Sequence, residues 1–258
     1  MPEFNSYPAG TPSWVDLASP DPAGSNAFYG ALFDWEADDL GPDAGNYALL
    51  RKGGKNVAGS GPIMMDDQPT AWTTYVGVDD CDATVELAKK AGAAVFVEPM
   101  DVMQAGRMAI FADPTGAVLG VWQPKDHKGA DLANEPGAFT WNELDTRDVP
   151  AAKSFYSEVF GWQPNDMDMG GLSYTEWKLG DRSVAGMMPM PEMVPPEVPA
   201  NWLVYFAVTD CDATVAKATD LGATVLVPAT DITPGRFAVL SDPAGAVFAV
   251  IKTNPPSQ

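Results

Sequence analysis

The amino-acid sequence predicts an α+β protein made of tandem βαβββ modules. The segment Asp80–Val85 recurs letter for letter as Asp210–Val215, 130 residues later. Two further blocks return at offsets of 127 and 129, namely 33–35 as 160–162 and 113–118 as 242–247. Three collinear blocks with a nearly constant offset indicate a duplicated module. Each copy is large enough for its own core, so a solenoid is excluded.

The repeat sets the expected domain boundaries. We expect an N-terminal extension over 1–11, module 1 over 12–124, a linker over 125–136 and module 2 over 137–253. Residues 125–135 are polar and contain glycine, a composition typical of a connection between domains.

Each module starts with a strand that leads into a helix. In module 1 the segment 14–17 is typical of a short strand, and Asp21-Pro22 favours the first turn of a helix. Apolar residues at i, i+1, i+4 and i+5 from Ala27 give that helix one apolar face. The corresponding features of module 2 are 141–144, Asp148 with Pro150, and the apolar positions from Phe155.

Two hairpin strands, a fourth strand, a second helix and two last strands follow. In module 1 the hairpin strands lie around 47–50 and 56–59, and the fourth strand covers 73–78. An Asp-capped helix then ends before Gly92, and the last strands flank the Asp-Pro-x-Gly turn at Asp113. Module 2 repeats these features at 174–179, 183–187, 203–208, Gly222 and Asp242. Divided at the fourth strand, each module is assigned the order βαβββ–βαβββ, which has one strand more in each half than the segments named above.

Four motifs of the modules resemble one family. They are Trp-x-Asp/Glu-Leu in the first strand, Phe-Tyr…Phe-x-Trp in the first helix, Tyr-x-x-Val-x-Asp in the fourth strand, and Gly-Arg…Asp-Pro-x-Gly-Ala near the end. Together they resemble the vicinal oxygen chelate superfamily of glyoxalase I, bleomycin-resistance proteins, fosfomycin-resistance enzymes and extradiol dioxygenases. The sequence is similar to a tandem glyoxalase-like group in actinobacteria. The resemblance covers about 12–124 and 139–252 and implies paired βαβββ units in two open, cup-shaped sheets. It does not specify an activity, because the superfamily contains lyases, isomerases, transferases, oxygenases and pure binders.

The resemblance also places the metal ligands of the metal-dependent members. The first His falls on Trp14 or Trp141, the second His or Gln falls on Thr73 or Leu203, and the Glu falls on Gly120 or Ala249. None of these side chains is suited to hold a divalent cation. We therefore expect no metal and no cofactor in either module.

Strand geometry predicts which side chains line the implied cups, because residues two apart share a face. The module 1 face carries Trp14, Asp16, Tyr75 and Trp122, and the module 2 face carries Trp141, Glu143, Tyr205 and Ile251, with Tyr174 and Glu176 as further candidates from a hairpin strand. An aromatic wall with one carboxylate suits a flat, partly apolar ligand that carries a donor or a positive charge. Aromatic packing and a structural Tyr–carboxylate bond explain the same pattern, so both readings stay open.

Other candidate features lie outside these faces. The Met- and Pro-rich segment 187–199 is either a ligand-closing lid, with Met187 and Met190 as ligand contacts, or a loop packed over the sheet edge. Arg107 and Arg236 are expected to pair with the turns at Asp113 and Asp242 or with carbonyls at helix caps. The single histidine, His127, lies in the linker and is expected to be exposed.

Charge restricts the partners. The formal net charge is −20, with 8 basic and 18 acidic residues up to position 128 and 7 and 17 after it. A negative charge that is distributed so evenly along the chain repels nucleic acid and anionic membranes. With no apolar run long enough to span a bilayer and no visible signal segment, the expected location is cytoplasmic. We expect a small-molecule ligand as partner. A tandem copy can build its cups within one chain, so a monomer is expected, with a homodimer as the alternative.

Two functions remain open after the sequence. The first is a binding protein of the bleomycin-resistance type that sequesters an aromatic or cationic compound. The second is a metal-independent lyase, isomerase or hydrolase with Asp16 or Glu143 as general acid or base beside Tyr75 or Tyr205. Metal-dependent glyoxalase or dioxygenase chemistry ranks third, because its ligands are missing.

Overall fold

Each module folds as one sheet with two helices. The computed structural model describes residues 4–65, 68–169, 171 and 173–254. Module 1 contains β1 (Pro12–Ser19), α1 (Pro22–Phe33), β2 (Glu36–Asp39), β3 (Ala48–Lys52), β4 (Lys55–Pro62), β5 (Ala71–Gly77), α2 (Cys81–Lys90), β6 (Ala94–Val102), β7 (Gly106–Ala112) and β8 (Val118–Pro124). Module 2 contains β9 (Phe139–Thr146), α3 (Val149–Phe160), β10 (Gln163–Asp168), β11 (Ser173–Leu179), β12 (Arg182–Pro189), β13 (Asn201–Ala207), α4 (Cys211–Asp220), β14 (Thr224–Ile232), β15 (Gly235–Ser241) and β16 (Val247–Thr253).

The strand order confirms the tandem α+β prediction. The sheets run β2-β3-β4-β1-β5-β8-β7-β6 and β10-β11-β12-β9-β13-β16-β15-β14. In each sheet two βαβββ units meet at an antiparallel central pair, β1 with β5 and β9 with β13, and the sheet stays open. The sequence reading missed β2, β6, β10 and β14. These strands are at or near the sheet edges and are largely exposed, so they lack the buried pattern by which strands are recognised.

The helices begin and end at the expected residues. Asp21, Asp80, Asp148 and Asp210 each accept a hydrogen bond from a backbone amide in the first turn of the following helix. The helix α3 ends at Gly161, which has the left-handed conformation that glycine adopts without strain. Within the described residues no helix is long and apolar enough to cross a membrane.

The two modules are joined through matching contacts on their helix-bearing faces. Tyr29 of α1 donates to Asp242 of the other module at 3.0 Å, and Tyr156 of α3 donates to Asp113 at 2.7 Å. The indole N–H groups of Trp35 and Trp162 donate to the carbonyls of Gly137 and Gly10, both at 2.7 Å. Because the helix sides face each other, the cup sides of the two sheets lie on opposite outer sides. Asp16 and Glu143 therefore belong to separate cups.

This interface corrects the expectation for the two arginines. Arg107 forms a two-pronged pair with Asp82 at 2.7 and 2.8 Å, and Arg236 pairs with Asp212 in the same way at 2.8 Å. Both pairs tie the start of a helix to a neighbouring strand. The turn carboxylates instead accept the tyrosines across the interface.

Candidate functional site

The concave face of the first sheet, here named cup 1, brings together the predicted residues of module 1. Trp14 lies opposite Tyr75 in the antiparallel pair β1–β5, and Asp16 follows on the same face of β1. Tyr75 donates a hydrogen bond to Asp16. Val15 and Leu17 point to the other side, into the core under the helices. The predicted alternation of faces is therefore present in β1.

A second tyrosine, which the sequence reading missed, completes this cluster. Tyr47 donates to Asp16 at 3.2 Å and accepts from the indole of Trp14 at 2.9 Å. Its ring crosses β4 at Gly59, the residue paired with Asp16, where a Cβ would collide with the tyrosine hydroxyl. A small residue is required at this crossing. The signal was present in the sequence, because Tyr47 and Tyr174 share the 127-residue offset of the first strands.

Cup 1 is filled by its own side chains. Trp14, Tyr75 and Trp122 are only 4%, 5% and 7% exposed. The ring of His127 packs edge-on against Trp14, with a centroid distance of 4.3 Å, and lies 5.6 Å from Trp122. Burial raises the pKa of Asp16 to about 6, because it penalises the ionised form more than the tyrosine hydrogen bonds favour it.

The position of His127 corrects the expectation of an exposed linker residue. Its backbone amide donates to Ala105, and the indole of Trp122 donates to its carbonyl at 2.9 Å. Burial lowers the pKa of the imidazole to about 4. In the part of the chain that the structure describes, its buried Nε2 has no hydrogen-bond partner. The linker thus closes cup 1 with a neutral ring.

The corresponding face of the second sheet, cup 2, repeats the cluster in a more open form. Tyr205 donates to Glu143 at 2.8 Å, and the indole of Trp141 donates to Tyr174 at 2.9 Å. Tyr174 also donates to Glu143 and crosses β12 at Gly186. Glu143 is 6% exposed, whereas Trp141 and Tyr174 are partly exposed. Burial raises the pKa of Glu143, and the two tyrosine hydrogen bonds act against that rise.

Two substitutions distinguish cup 2 from cup 1. Ile251 stands where module 1 has Trp122, and Asp145 stands where module 1 has Ala18. Asp145 shares the cup face of β9 with Glu143, two residues before it. Its Oδ1 is buried and has no hydrogen-bond partner among the described residues. Burial and the neighbouring Glu143 raise the pKa of Asp145 to about 8. The alternation of side chains along the strand would by itself have placed Asp145 among the predicted residues of the cup.

The remaining ligand candidates lie in different surroundings. Met187 pairs with Leu144 and is fully buried in the core on the helix side, so it does not lie on the face of cup 2 with the other candidates. Met190 is partly exposed just after β12, and its amide donates to Thr146. Glu176 is partly exposed and is held by Asn165, Lys178 and Ser183, away from the Glu143 hydrogen bonds.

The Met- and Pro-rich loop has an anchor that module 1 lacks. Arg147, which follows β9, donates to the carbonyls of Val194, Pro195 and Val198 at 3.3, 2.8 and 2.6 Å. The equivalent position in module 1 is Pro20. The loop is therefore tied to the end of the strand that carries Glu143 and Asp145. Its role as a lid stays a prediction.

The residues present do not fit the metal site of the superfamily. Trp14, Thr73 and Gly120 occupy the implied positions in module 1, and Trp141, Leu203 and Ala249 occupy them in module 2. Tyr75 pairs with Gly120 and Tyr205 pairs with Ala249, so the strands do meet as the resemblance requires. Within 4–65, 68–169, 171 and 173–254, no group of three or more His, Cys, Asp and Glu is arranged to hold a metal ion.

Comparisons with known proteins agree with this fold. The family model described as the glyoxalase/bleomycin resistance protein/dioxygenase superfamily matches residues 11–121, and a glyoxalase-like domain model matches 141–251. The "Putative glyoxylase CFP32" of Mycobacterium tuberculosis (strain CDC 1551 / Oshkosh) is 42% identical over 262 residues, 99% of both chains. The "Anthracycline biosynthesis protein DnrV" of Streptomyces peucetius is 40% identical over 261 residues, 95% of this chain and 94% of that protein. The crystal structure of a Mn(II)-bound glyoxalase from Novosphingobium aromaticivorans superposes with a TM-score of 0.65 at 19% identity, over 95% of this chain and 82% of that one. The last similarity concerns the fold alone.

Proposed function

Because the chain belongs to the glyoxalase/bleomycin resistance protein/dioxygenase superfamily, we propose that it binds a small aromatic molecule in cup 2, without the metal of the metal-dependent members. The family resemblance implies a small-molecule site on the cup side of this sheet, and cup 2 keeps aromatic and polar groups on that face. Binding, rather than the metal-dependent chemistry, is the function that this residue set supports best.

One observation carries the proposal, namely the contrast between a closed cup and an open one. In cup 1, Trp122 and His127 pack around Trp14 and bury it, whereas the equivalent Trp141 of cup 2 stays partly exposed. Partly exposed aromatic rings beside a buried carboxyl are typical of a site that orients a flat ligand. The lining of cup 2 adds Phe237, whose ring lies 6.2 Å from that of Tyr205.

The names of relatives are consistent with an aromatic ligand. DnrV is named for anthracycline biosynthesis, and anthracyclines are flat, fused-ring molecules that carry several hydroxyl and carbonyl groups. Such a molecule would stack on Trp141 and present a hydroxyl to Glu143. We use this class as the first probe.

The test is a fluorescence titration of the protein with the anthracycline doxorubicin. We expect saturable binding that Trp141→Ala weakens by about tenfold, because a lost aromatic stack costs about 1.4 kcal/mol. Tyr47→Phe, which removes a hydroxyl from cup 1, serves as the matched control and leaves binding unchanged. Absence of saturable binding, or equal binding by Trp141→Ala, would overturn the proposal for this ligand class.

A second candidate function is supported by the pKa of Asp145. A carboxyl with a pKa of about 8 is largely protonated at neutral pH, and it can donate a proton to a substrate as a general acid. Glu143 would then orient the substrate or take the proton back. Mass spectrometry of doxorubicin after incubation separates the two functions. A turnover that Glu143→Gln abolishes supports an enzyme, and doxorubicin that keeps both its mass and its chromatographic retention time, which also excludes an isomerisation, supports a binder.

A further inference from the structure

Cup 2 contains a buried carboxyl group, Glu143, and a partly buried one, Asp145, and the described part of the chain gives neither of them a counter-cation. Asp145 and Glu143 lie two residues apart on the same face of β9. Among the described residues, neither forms an ion pair with a lysine or an arginine. Arg147, the nearest basic residue along the strand, donates its guanidinium hydrogens to loop carbonyls instead.

The two carboxyls differ in how their oxygens are satisfied. Glu143 accepts hydrogen bonds from Tyr205 and Tyr174. Asp145 Oδ1 accepts none from the described residues, although the atom is buried. A buried polar atom without a partner is costly in a folded protein, and a ligand donor is one way to satisfy it. The structural role that accounts for Glu143 therefore does not account for Asp145.

The neighbouring copy of the module shows that the fold does not need this carboxyl. In cup 1 the equivalent residue is Ala18, while the Trp, Tyr and carboxylate cluster beside it is preserved. Asp145 is thus an addition specific to cup 2. It occurs in the cup whose aromatic rings are partly exposed, and not in the cup that the linker closes.

We propose that Asp145, with Glu143, selects ligands that carry a protonated amine on an aromatic framework. The inference rests on the proposed function and names the ligand class of the same site. The ammonium group of such a ligand would supply the missing counter-charge and donate to Asp145 Oδ1. The aromatic rings of the same ligand would stack on Trp141. The net charge of −20 draws such a cation toward the protein.

The groups around Asp145 allow the accompanying proton transfer to be followed. The titratable side chains that act on it are Glu143 on its own strand, Tyr174 on β11 and Tyr205 on β13, and Asn201 and Met188 are its neutral cross-strand neighbours. Near pH 7 the pair holds a proton, because burial raises both carboxyl pKa values. When a cation binds, the carboxyl O–H bond breaks, the proton passes to the buffer, and the carboxylate accepts the ligand N–H.

The experiment compares the binding of two probes of nearly equal shape. At pH 7 one of them, 9-aminoacridine, is a cation, and the other, acridine, is neutral. We expect the cation to bind the full-length protein about tenfold more tightly than acridine. Asp145→Asn should remove this preference and keep acridine binding. Asp220→Asn, an equal charge change at the exposed end of α4, should leave the preference intact.

Calorimetry in buffers of different ionisation enthalpy supplies a second readout. With the unmodified protein at pH 7, about one proton should be released per bound cation, and Asp145→Asn should release markedly less, because only Glu143 then remains to hold a proton. Equal affinities for the two probes, both weakened by Trp141→Ala, would overturn the selection by Asp145 but leave the proposed function standing. Binding of neither probe, or binding unaffected by Trp141→Ala, would count against the proposed function itself. If Asp145→Asn fails to fold, Asp145→Ser is read by the same two measurements.

Discussion

The two cups share one scaffold and differ at its rim. Both contain an indole that donates to a tyrosine, which in turn donates to a carboxylate on the central strand. Cup 1 adds Trp122 and His127, which close it, whereas cup 2 has Ile251 in place of that tryptophan. Cup 2 adds Asp145, where cup 1 has Ala18.

This difference teaches how a duplicated module divides its roles. The shared cluster is explained by structure alone, because it satisfies a buried carboxylate and orders three strands. Only the residues that differ separate a packed face from one that is open to a ligand. In contrast, the contacts between the modules are matched in both copies, as expected where the two copies stabilise each other.

The glycines under the tyrosines give the largest expected effect. Gly59→Ala should destabilise the protein by about 3 kcal/mol, because its Cβ collides with Tyr47 and the bonded Trp14 is buried. Gly186→Ala should cost less, about 1–2 kcal/mol, because Trp141, unlike the buried Trp14, is partly exposed and can move outward with Tyr174. The free energy of unfolding in urea measures both.

A background variant isolates the cause of the Gly59 effect. With Tyr47→Leu already present, Gly59→Ala should destabilise the protein much less than it does in the unmodified protein. The tyrosine ring with which the added Cβ collides is then absent. Equal costs of Gly59→Ala and Gly186→Ala would contradict the distinction between a closed and an open cup.

The free energy of unfolding should depend on the ionisation of Asp145 and of Asp16 over pH ranges of different width. A carboxyl whose folded-state pKa is raised contributes its full stability below its unfolded pKa, near 4, and loses it as the pH rises to the folded value. That value is about 8 for Asp145 and about 6 for Asp16. Asp145→Asn should therefore leave the stability at pH 4 almost unchanged and stabilise the protein increasingly up to pH 8, by at most about 1.4 kcal/mol per pH unit.

The Asp16→Asn profile is the comparison. Its gain should be smaller and should stop growing soon above pH 6, since the Asp16 carboxyl is half ionised at about pH 6 and largely ionised a pH unit higher. Unfolding in urea at pH 4, 6 and 8 distinguishes the two variants. A gain from Asp145→Asn that does not change with pH would show that its carboxyl titrates normally in the folded protein.

The interface tyrosines test the part of the molecule in which the copies are alike. Tyr29→Phe leaves Asp242 and the indole of Trp72 each without one partner, and Tyr156→Phe does the same at Asp113. Each loss should destabilise the protein by about 1.5 kcal/mol. Thermal denaturation should show nearly equal shifts for the two variants. A large inequality would mean that the interface is as asymmetric as the cups.

Local periodicity was enough to predict the two modules and the faces of their central strands. Trp14, Asp16 and Tyr75 meet as expected because each lies on a regular strand whose alternation fixes its direction. Met187 lies apart from the cup because its face depends on the register of β12 against β9, which places it beside Leu144 under the helices. Such a register is a long-range property that a local pattern does not contain.

Two other residues escaped prediction for a similar reason. Tyr47 reaches Asp16 only because β4 has no side chain at Gly59. The position of His127 depends on the path of the linker, which is fixed by the backbone bond to Ala105 and by the indole of Trp122. Both are contacts between segments that are distant in the sequence or lack regular structure, and no periodicity reveals them.

His127 gives the smallest expected change in stability. Removing its ring in His127→Ala should cost about 1 kcal/mol at pH 8, because the edge-on contacts with Trp14 and Trp122 are lost. The folded-state pKa of His127 is about 4, below the ordinary value of 6.5. Its protonation therefore opposes folding, and its contribution is full above pH 6.5 and declines as the pH falls toward 4. The stability difference between the unmodified protein and His127→Ala should shrink over that range and then reverse, because the fall of the pKa from 6.5 to about 4 corresponds to about 3 kcal/mol.

The same variant tests whether the linker is what closes cup 1. An aromatic slot left between Trp14 and Trp122 should accept free imidazole, the group that was removed, and bound imidazole raises the melting temperature by mass action. We expect imidazole to stabilise His127→Ala and to leave the unmodified protein unchanged at pH 8, where imidazole is neutral. If imidazole affects both proteins equally, the slot does not form. The closure of cup 1 would then belong to its tryptophans rather than to the linker, and the contrast with cup 2 would rest on Trp122 and Ile251 alone.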